Sequence, residues 1–306
     1  MTRAKKPKAV HQLTAAQFDE MFPSEDACAA YLVARRWPEG VRCPRCGAEN
    51  PSECGGNPWH WQCYSCAPQT SYRFSHIAGT IFENTNKPLK DWFRVIHLML
   101  TSKKGMSALQ IYRFVGFGSY KTAWHMCHRV RVALANEDFG KLAGIVEVDE
   151  TFVGGKAKNR HKGKRGGGVG PGGPTKGKGI VVGAVRRKGS VIARVIANTK
   201  ASTLASFVSE AVSTKVSLLC TDQWKGYTNL DATYPHEMVD HANGQYVIGA
   251  VHTNTIEGFW SLIKRGMVGT FHKVSKKYLP LYVAEFQFRY NNRLNADIFG
   301  AAISEC

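Results

Sequence analysis

Three acidic residues, Asp149, Asp222 and Glu257, stand in contexts suited to metal-dependent phosphoryl transfer. Asp149 ends the run Gly144-Ile-Val-Glu-Val-Asp149, whose apolar alternation predicts a buried strand. Asp222 closes Val216-Ser-Leu-Leu-Cys-Thr-Asp222, a second strand-like run. Glu257 lies in Asn254-Thr-Ile-Glu-Gly-Phe-Trp-Ser-Leu-Ile-Lys264, which has helical spacing. The second and third acids are 35 positions apart, and Lys264 follows Glu257 by two helical turns on one face. Two Mg2+ (or Mn2+) ions about 3.5–4 Å apart need carboxylates that converge from different elements. Asn254 stands one turn before Glu257, as an alternative third position or as a group that orients water on the metal. Glu147 and Glu150 flank Asp149, and strand alternation is read as turning both to the opposite face of the sheet. His252 either packs or meets DNA.

A second chemistry is written in cysteines. Cys43-Pro-Arg-Cys46 and Cys63-Tyr-Ser-Cys66 are separated by sixteen residues, and paired C-x-x-C motifs at that distance predict a tetrahedral Zn2+ site. With four protein ligands the metal is structural and leaves no open catalytic position. Cys54 falls outside the pattern and is read as free; His60 substitutes only if one cysteine fails. Nine cysteines, four of them grouped as ligands, suit a reducing cytosol better than a disulfide framework.

The chain carries 41 Lys and Arg against 23 Asp and Glu, a net charge of +18. Such an excess predicts a polyanionic partner, bound through phosphate contacts and counterion release. No run of 18 apolar residues exists, which excludes a helical membrane span. The basic start Met1-Thr-Arg-Ala-Lys-Lys-Pro-Lys8 has no apolar segment behind it and is not a secretory signal.

The positioning elements follow from periodicity and caps. Residues 1–13 read as a basic, disordered arm. Residues 14–82 read as N-terminal helices and a zinc ribbon. Thr14 and Gln17 form a capping box there, Pro23 divides the helical stretch 14–36 in two, and 69–82 supply a closing strand and turn. Residues 83–140 are helical. Pro88 opens a helix to about Ser102, and Ser107–Val115, Gly116-Phe-Gly118 and Ser119–Arg131 read as helix, turn and helix, as in a helix-turn-helix. In that motif the second helix enters the major groove by its N-terminus, so Ser119, Tyr120 and Lys121 are candidates for base edges and Arg129 and Arg131 for phosphate. Residues 141–306 form the remaining domain. Its insertion, 156–179, holds eight Lys or Arg and nine Gly, too little apolar surface to offset its ordering entropy. It is expected to be flexible and to follow a DNA backbone through Lys162, Lys164 and Arg165. A strand pair at 180–196, a helix capped by Ser202, the Asp222 strand, a short strand at 234–239, the Glu257 helix and a last helix at 276–295 complete the domain. That order is the mixed α/β arrangement of an RNase H-like (retroviral integrase-type) fold.

Val148-Asp-Glu-Thr-Phe-Val-Gly-Gly155, Thr221-Asp-Gln-Trp-Lys-Gly-Tyr227 and His252-Thr-Asn-Thr-Ile-Glu-Gly-Phe-Trp-Ser-Leu-Ile-Lys-Arg265 resemble the three catalytic blocks of DDE transposases. The resemblance is to a bacterial insertion-sequence family that carries an N-terminal zinc ribbon before an ISXO2-like transposase domain, and it covers roughly residues 20 to 295. It implies cleavage at terminal inverted repeats and transfer of the 3′ ends into target DNA. It further implies two Mg2+ (or Mn2+) ions at Asp149, Asp222 and Glu257, phosphate contacts from Lys264 and Arg265, and a homo-oligomer on DNA in a bacterial cytoplasm, at the nucleoid. The Glu-to-Lys spacing of the family favours Glu257 over Asn254. Two other readings fit the same motifs: a DNA-binding regulator with an inactive RNase H-like domain, and a structure-specific nuclease that cuts without strand transfer.

Overall fold

The computed structural model describes residues 13–66, 72–135, 140–155, 177–222, 225–227, 230, 232–239 and 252–306. The chain forms two compact units, one of residues 1–136 with 292–306 and one of residues 137–291. The last residues therefore belong to the first unit, whereas the sequence reading placed them with the second.

In the first unit, α1 (Ala15–Met21) starts on the expected capping box, with Thr14 and Gln17 each accepting from the other's backbone N–H. Pro23 separates it from α2 (Glu25–Arg36), which Ser24 caps. Acids in the first turn of α2 and Arg35 and Arg36 in its last turn complement the helix dipole. Strands β1 (Ser52–Glu53), β2 (His60–Cys63) and β3 (Tyr72–Ser75) pair antiparallel, and Trp61 stacks on Phe74 in a small core that includes Cys43 and Cys63. Helix α3 (Leu89–Thr101) is largely enclosed, with Trp92, Phe93, Val95, Ile96 and Met99 all buried. The Glu25 carboxylate caps its start by accepting from the Leu89 and Lys90 N–H groups. A C-terminal helix, Ile298–Ser304, brings Phe299 against Phe22 and Phe93, and the Cys306 carbonyl accepts from the Ile81 N–H. Burial of those rings explains why 292–306 returns to this unit. The sequence reading instead ran one final helix to 295.

Helices α4 (Ala108–Val115) and α5 (Tyr120–Ala133) follow in the same unit. A Ser107–Gln110 capping box opens α4, Gly116 closes it in the left-handed conformation at φ 81°, and Ser119 caps α5.

The second unit is a five-stranded mixed sheet in the order β6-β5-β4-β7-β8. These are β4 (Ile145–Val153), β5 (Gly179–Arg186), β6 (Val191–Ile196), β7 (Leu218–Asp222) and β8 (His236–Val239). β5 pairs antiparallel with both β4 and β6, and β7 and β8 extend the sheet in parallel from β4. α6 (Ala201–Ala211) covers one face, against Val146, Val148, Val182 and Ala184. α7 (Asn254–Gly266) and α8 (Leu279–Asn291) cover the other, against Val181, Val185 and Val191. The alternation of Val181 and Val182 between two cores is the period-two pattern of a sheet buried on both sides. α6 begins at Ala201 with no side-chain cap, so the expected Ser202 cap does not form. The edge strand β6 is closed by α8: the Val191 and Ala193 N–H groups donate to Asn291 Oδ1 and Gln287 Oε1. No helix among the described residues is long and apolar enough to cross a membrane.

Candidate active site and cysteine centre

Asp149 and Asp222 are brought together by strand register. β4 and β7 pair in parallel as Ile145↔Leu218, Val146↔Leu219 and Glu147↔Cys220. Carried forward two residues, that offset sets Asp149 beside Asp222, the last residue of β7. Successive side chains alternate, so both acids share the face with Glu147 and Cys220, the face that α7 covers. Glu257 lies in the first turn of α7, and its carboxylate accepts from the Thr253 hydroxyl at 3.3 Å. Burial, then Asp222 and more weakly Glu257, pushes the Asp149 carboxyl up to about 6. Among the described residues, the four cysteines of the C-x-x-C pairs are the one group of three or more possible ligands whose donor atoms converge.

Asp149 is oriented from above. Trp260 on α7 donates from Nε1 to Asp149 Oδ2 at 2.9 Å. The indole reaches that position because the register partner of Asp149 on β5 is Gly183, where a Cβ would stand 2.7 Å from Trp260 Cη2.

Glu147 corrects the strand assignment made from sequence. It lies two residues from Asp149, so alternation places it on the same face, not the opposite one. It is fully buried. Its carboxylate accepts from Arg187 Nε at 2.6 Å, Thr255 Oγ1 at 2.8 Å and the Thr255 and Ile256 N–H groups at 2.7 and 3.0 Å. His252 Nδ1 stands 3.2 Å from the same carboxylate, so His252 packs in this network. Glu150 does face the other way, accepting from the Tyr227 hydroxyl at 2.6 Å. Burial pushes Glu150 up to about 7, against the pull of that hydrogen bond, with Asp222 and Asp149 adding to the rise. Sequence periodicity could have found Glu147; nothing local pointed to Arg187, Trp260 or Tyr227.

Asn254, Lys264 and Arg265 are exposed on α7. Lys264 and Arg265 occupy its last turn, and Arg265 Nε donates to the Ser261 carbonyl. Lys162, Lys164 and Arg165, with the rest of 156–176, lie outside the described residues.

In the first unit, Ser119, Tyr120 and Lys121 are all exposed at the start of α5. The two arginines assigned to phosphate are placed otherwise. Arg131 is 1% exposed, because it shares the inner face of α5 with Cys127 and Leu134, four positions before and three after it. Arg129 is half-buried, donates to the Glu83 carbonyl at 3.0 Å and lies over the Trp92 ring. Both guanidinium groups are thus built into the helical core.

The Sγ atoms of Cys43, Cys46, Cys63 and Cys66 lie within 4.8 Å of one another, with Cys46 and Cys63 at 3.6 Å. A tetrahedron of thiolates about 2.3 Å from one metal has edges of roughly 3.8 Å, so the four fit Zn2+ closely. Burial would raise the Cys43 thiol, but the backbone N–H groups of Cys46 and Arg45 lower it to about 7. Cys66 is pushed up to about 12 by burial and by Cys43 and Cys63. One thiol ionises readily and another only against its neighbours, which is the electrostatic demand a dication satisfies. Cys54 stands outside this cluster.

The family described as "ISXO2-like transposase domain" matches residues 141–291, and that described as "transposase zinc-ribbon domain" matches residues 23–69. A relative described as an uncharacterised protein in transposable element ISH50, from Halobacterium salinarum, is 31% identical over 279 residues, 88% of this chain and 91% of its own length. A zinc ribbon bearing four converging thiols, followed by a mixed-sheet domain with acids on adjacent strands, accords with those matches, and the chain belongs to the ISXO2-like transposase family of insertion sequences.

Proposed function

We propose that this transposase cleaves DNA at the terminal inverted repeats of its insertion sequence and joins the 3′ ends to target DNA. The reading takes residues 141–291 as an RNase H-like domain, supported by the β6-β5-β4-β7-β8 order with α6 and α7 on opposite faces. The observation that carries it is the parallel register that sets Asp149 beside Asp222, with Glu257 near enough to raise the Asp149 carboxyl. These three groups would hold Mg2+ or Mn2+, which when bound activates the attacking oxygen and stabilises the leaving one. Trp260 fixes the rotation of the Asp149 carboxylate through Oδ2. Lys264 and Arg265, two turns along α7, meet backbone phosphate, and Asn254 at the helix start lies within a turn of Glu257. Ser119, Tyr120 and Lys121 read the element's ends from the exposed start of α5. Several copies of the chain assemble on the paired ends.

The test is Mg2+-dependent nicking of a duplex carrying the element's end. Asp149→Ala, Asp222→Ala and Glu257→Ala should each abolish nicking and leave end binding intact, because these groups hold metal rather than DNA. Normal nicking by Glu257→Ala together with loss in Asn254→Ala would move the third ligand to Asn254.

A further inference from the structure

We propose that Glu147 is a positioning residue that sets where Glu257 stands relative to Asp149; the inference rests on the catalytic reading of those two acids. Helix α7 has no cap of its own, since Thr253 at the N-cap position makes no side-chain hydrogen bond to the helix backbone. Its first turn is capped from another strand, by the Glu147 carboxylate accepting from the Thr255 and Ile256 N–H groups and from the Thr255 hydroxyl. A carboxylate at a helix N-terminus meets both open donors and the positive end of the dipole.

Arg187, in the turn after β5, completes the clamp. Nε donates to Glu147 and Nη2 donates to the His252 carbonyl at 2.9 Å. The pinned positions, 252, 255 and 256, lie on both sides of Asn254 and end one residue before Glu257. At its other end the clamp is two residues from Asp149 on the same strand face. Glu147 is thus a short, buried strut between the two acids.

The rest of α7 does not need this strut in order to fold onto the sheet. Ile256, Phe259, Trp260 and Ile263 are buried against it. Apolar packing is non-directional and fixes the helix to the face. Charge-assisted hydrogen bonds are directional and fix its rotation and advance along the axis. Metal sites lose function when ligands shift by about 1 Å, and groups that orient ligands matter by about 10–100-fold.

The experiment uses the full chain with Glu147→Gln, which keeps the side-chain shape but replaces one acceptor by a donor that faces Arg187 or Thr255. Thr255→Val, which removes only the hydroxyl bond, is measured beside it, with Asp149→Asn as reference. The expected result for Glu147→Gln has three parts. End-DNA affinity stays within about twofold, maximal nicking falls about 10–100-fold, and calorimetric titration of the DNA-free chain with Mn2+ shows weaker binding. Thr255→Val shifts nicking and Mn2+ binding in the same direction by less. If Asp149→Asn nicks at the unaltered rate, the catalytic reading itself falls. If Asp149→Asn is inactive while Glu147→Gln and Thr255→Val match the unaltered chain in nicking and Mn2+ binding, the positioning role alone is overturned. Should Glu147→Gln fail to fold, Thr255→Val decides: unchanged Mn2+ binding and nicking would leave Glu147 as a folding element and overturn the proposal.

Discussion

Gly183 is the position where the packing over Asp149 can be probed with a single methyl. Its backbone lies outside the left-handed region, so Ala is permitted by conformation. Ala in place of a strand glycine should by itself stabilise by roughly 0.5–1 kcal/mol through the entropy of the unfolded chain. Here the new Cβ would meet Trp260 Cη2 at 2.7 Å, Cζ2 at 3.0 Å and Ile256 Cδ1 at 3.2 Å. The indole is 2% exposed and tethered to Asp149 through Nε1, so it cannot withdraw without breaking that bond. Overpacking of this kind costs about 1–3 kcal/mol. The two effects together leave Gly183→Ala destabilised by about 1 kcal/mol. In a Trp260→Leu background the ring is gone, and the same substitution should stabilise by roughly 0.5–1 kcal/mol. Urea unfolding of the four members of the cycle measures the coupling, expected at about 1–3 kcal/mol. The same free-energy change for Gly183→Ala in both backgrounds would refute the placement of the indole over this glycine. With it would go the account of how Asp149 is oriented.

Three further outcomes are expected. The purified chain should contain one Zn2+, and Cys43→Ser or Cys63→Ser should lose it together with the fold of the ribbon, since structural zinc contributes on the order of 10 kcal/mol to small domains; elemental analysis finding no zinc in the unaltered chain would end this assignment. In Mg2+-free buffer, Asp149, raised from 3.8 to about 6 on folding, favours the protonated native state. Its contribution is full below about pH 4 and is lost as the pH rises through about 6, so stability relative to Asp149→Asn should fall by on the order of 3 kcal/mol between those values; a difference flat with pH, read from parallel unfolding curves, would contradict the shift. Lys121→Ala should weaken end DNA more than scrambled DNA, by about 1–3 kcal/mol if it contacts a base, and equal losses on both duplexes would make the start of α5 a nonspecific surface.

What the sequence disclosed depended on how far away each residue's partners lie. The Thr14–Gln17 capping box bonds within three residues, and the break at Pro23 and the stop at Gly116 are backbone properties of those residues themselves. The two C-x-x-C pairs were equally legible, because each pair carries its own turn and the chemistry of thiolates supplies the reason for them to meet. The strands of Asp149 and Asp222 followed from alternation, although their adjacency required a register that no local rule fixes. Ser202 misled because a residue suited to capping does not cap unless the chain enters the helix there; the helix begins at Ala201 instead.

Arg131 and Glu147 were misplaced for different reasons. Arg131 was weighed by its type, as a group for phosphate, before its place in the helical period was counted, and Glu147 by an alternation counted one residue out. Arg131 falls in step with Cys127 and Leu134 and goes inward with them; Glu147 falls in step with Asp149 and is buried beside it. Burying a charge is costly unless partners surround it, and for Glu147 the partners are Arg187, 40 residues away, and Thr255, 108 away. No window along the chain contains such a pair. Periodicity can therefore tell which face a charge must take, and the expense of burying it then says that a partner exists. Only the folded arrangement says which one. In this chain that partner is the first turn of the helix bearing Glu257, so the buried charge of Glu147 joins the strand of Asp149 to that helix.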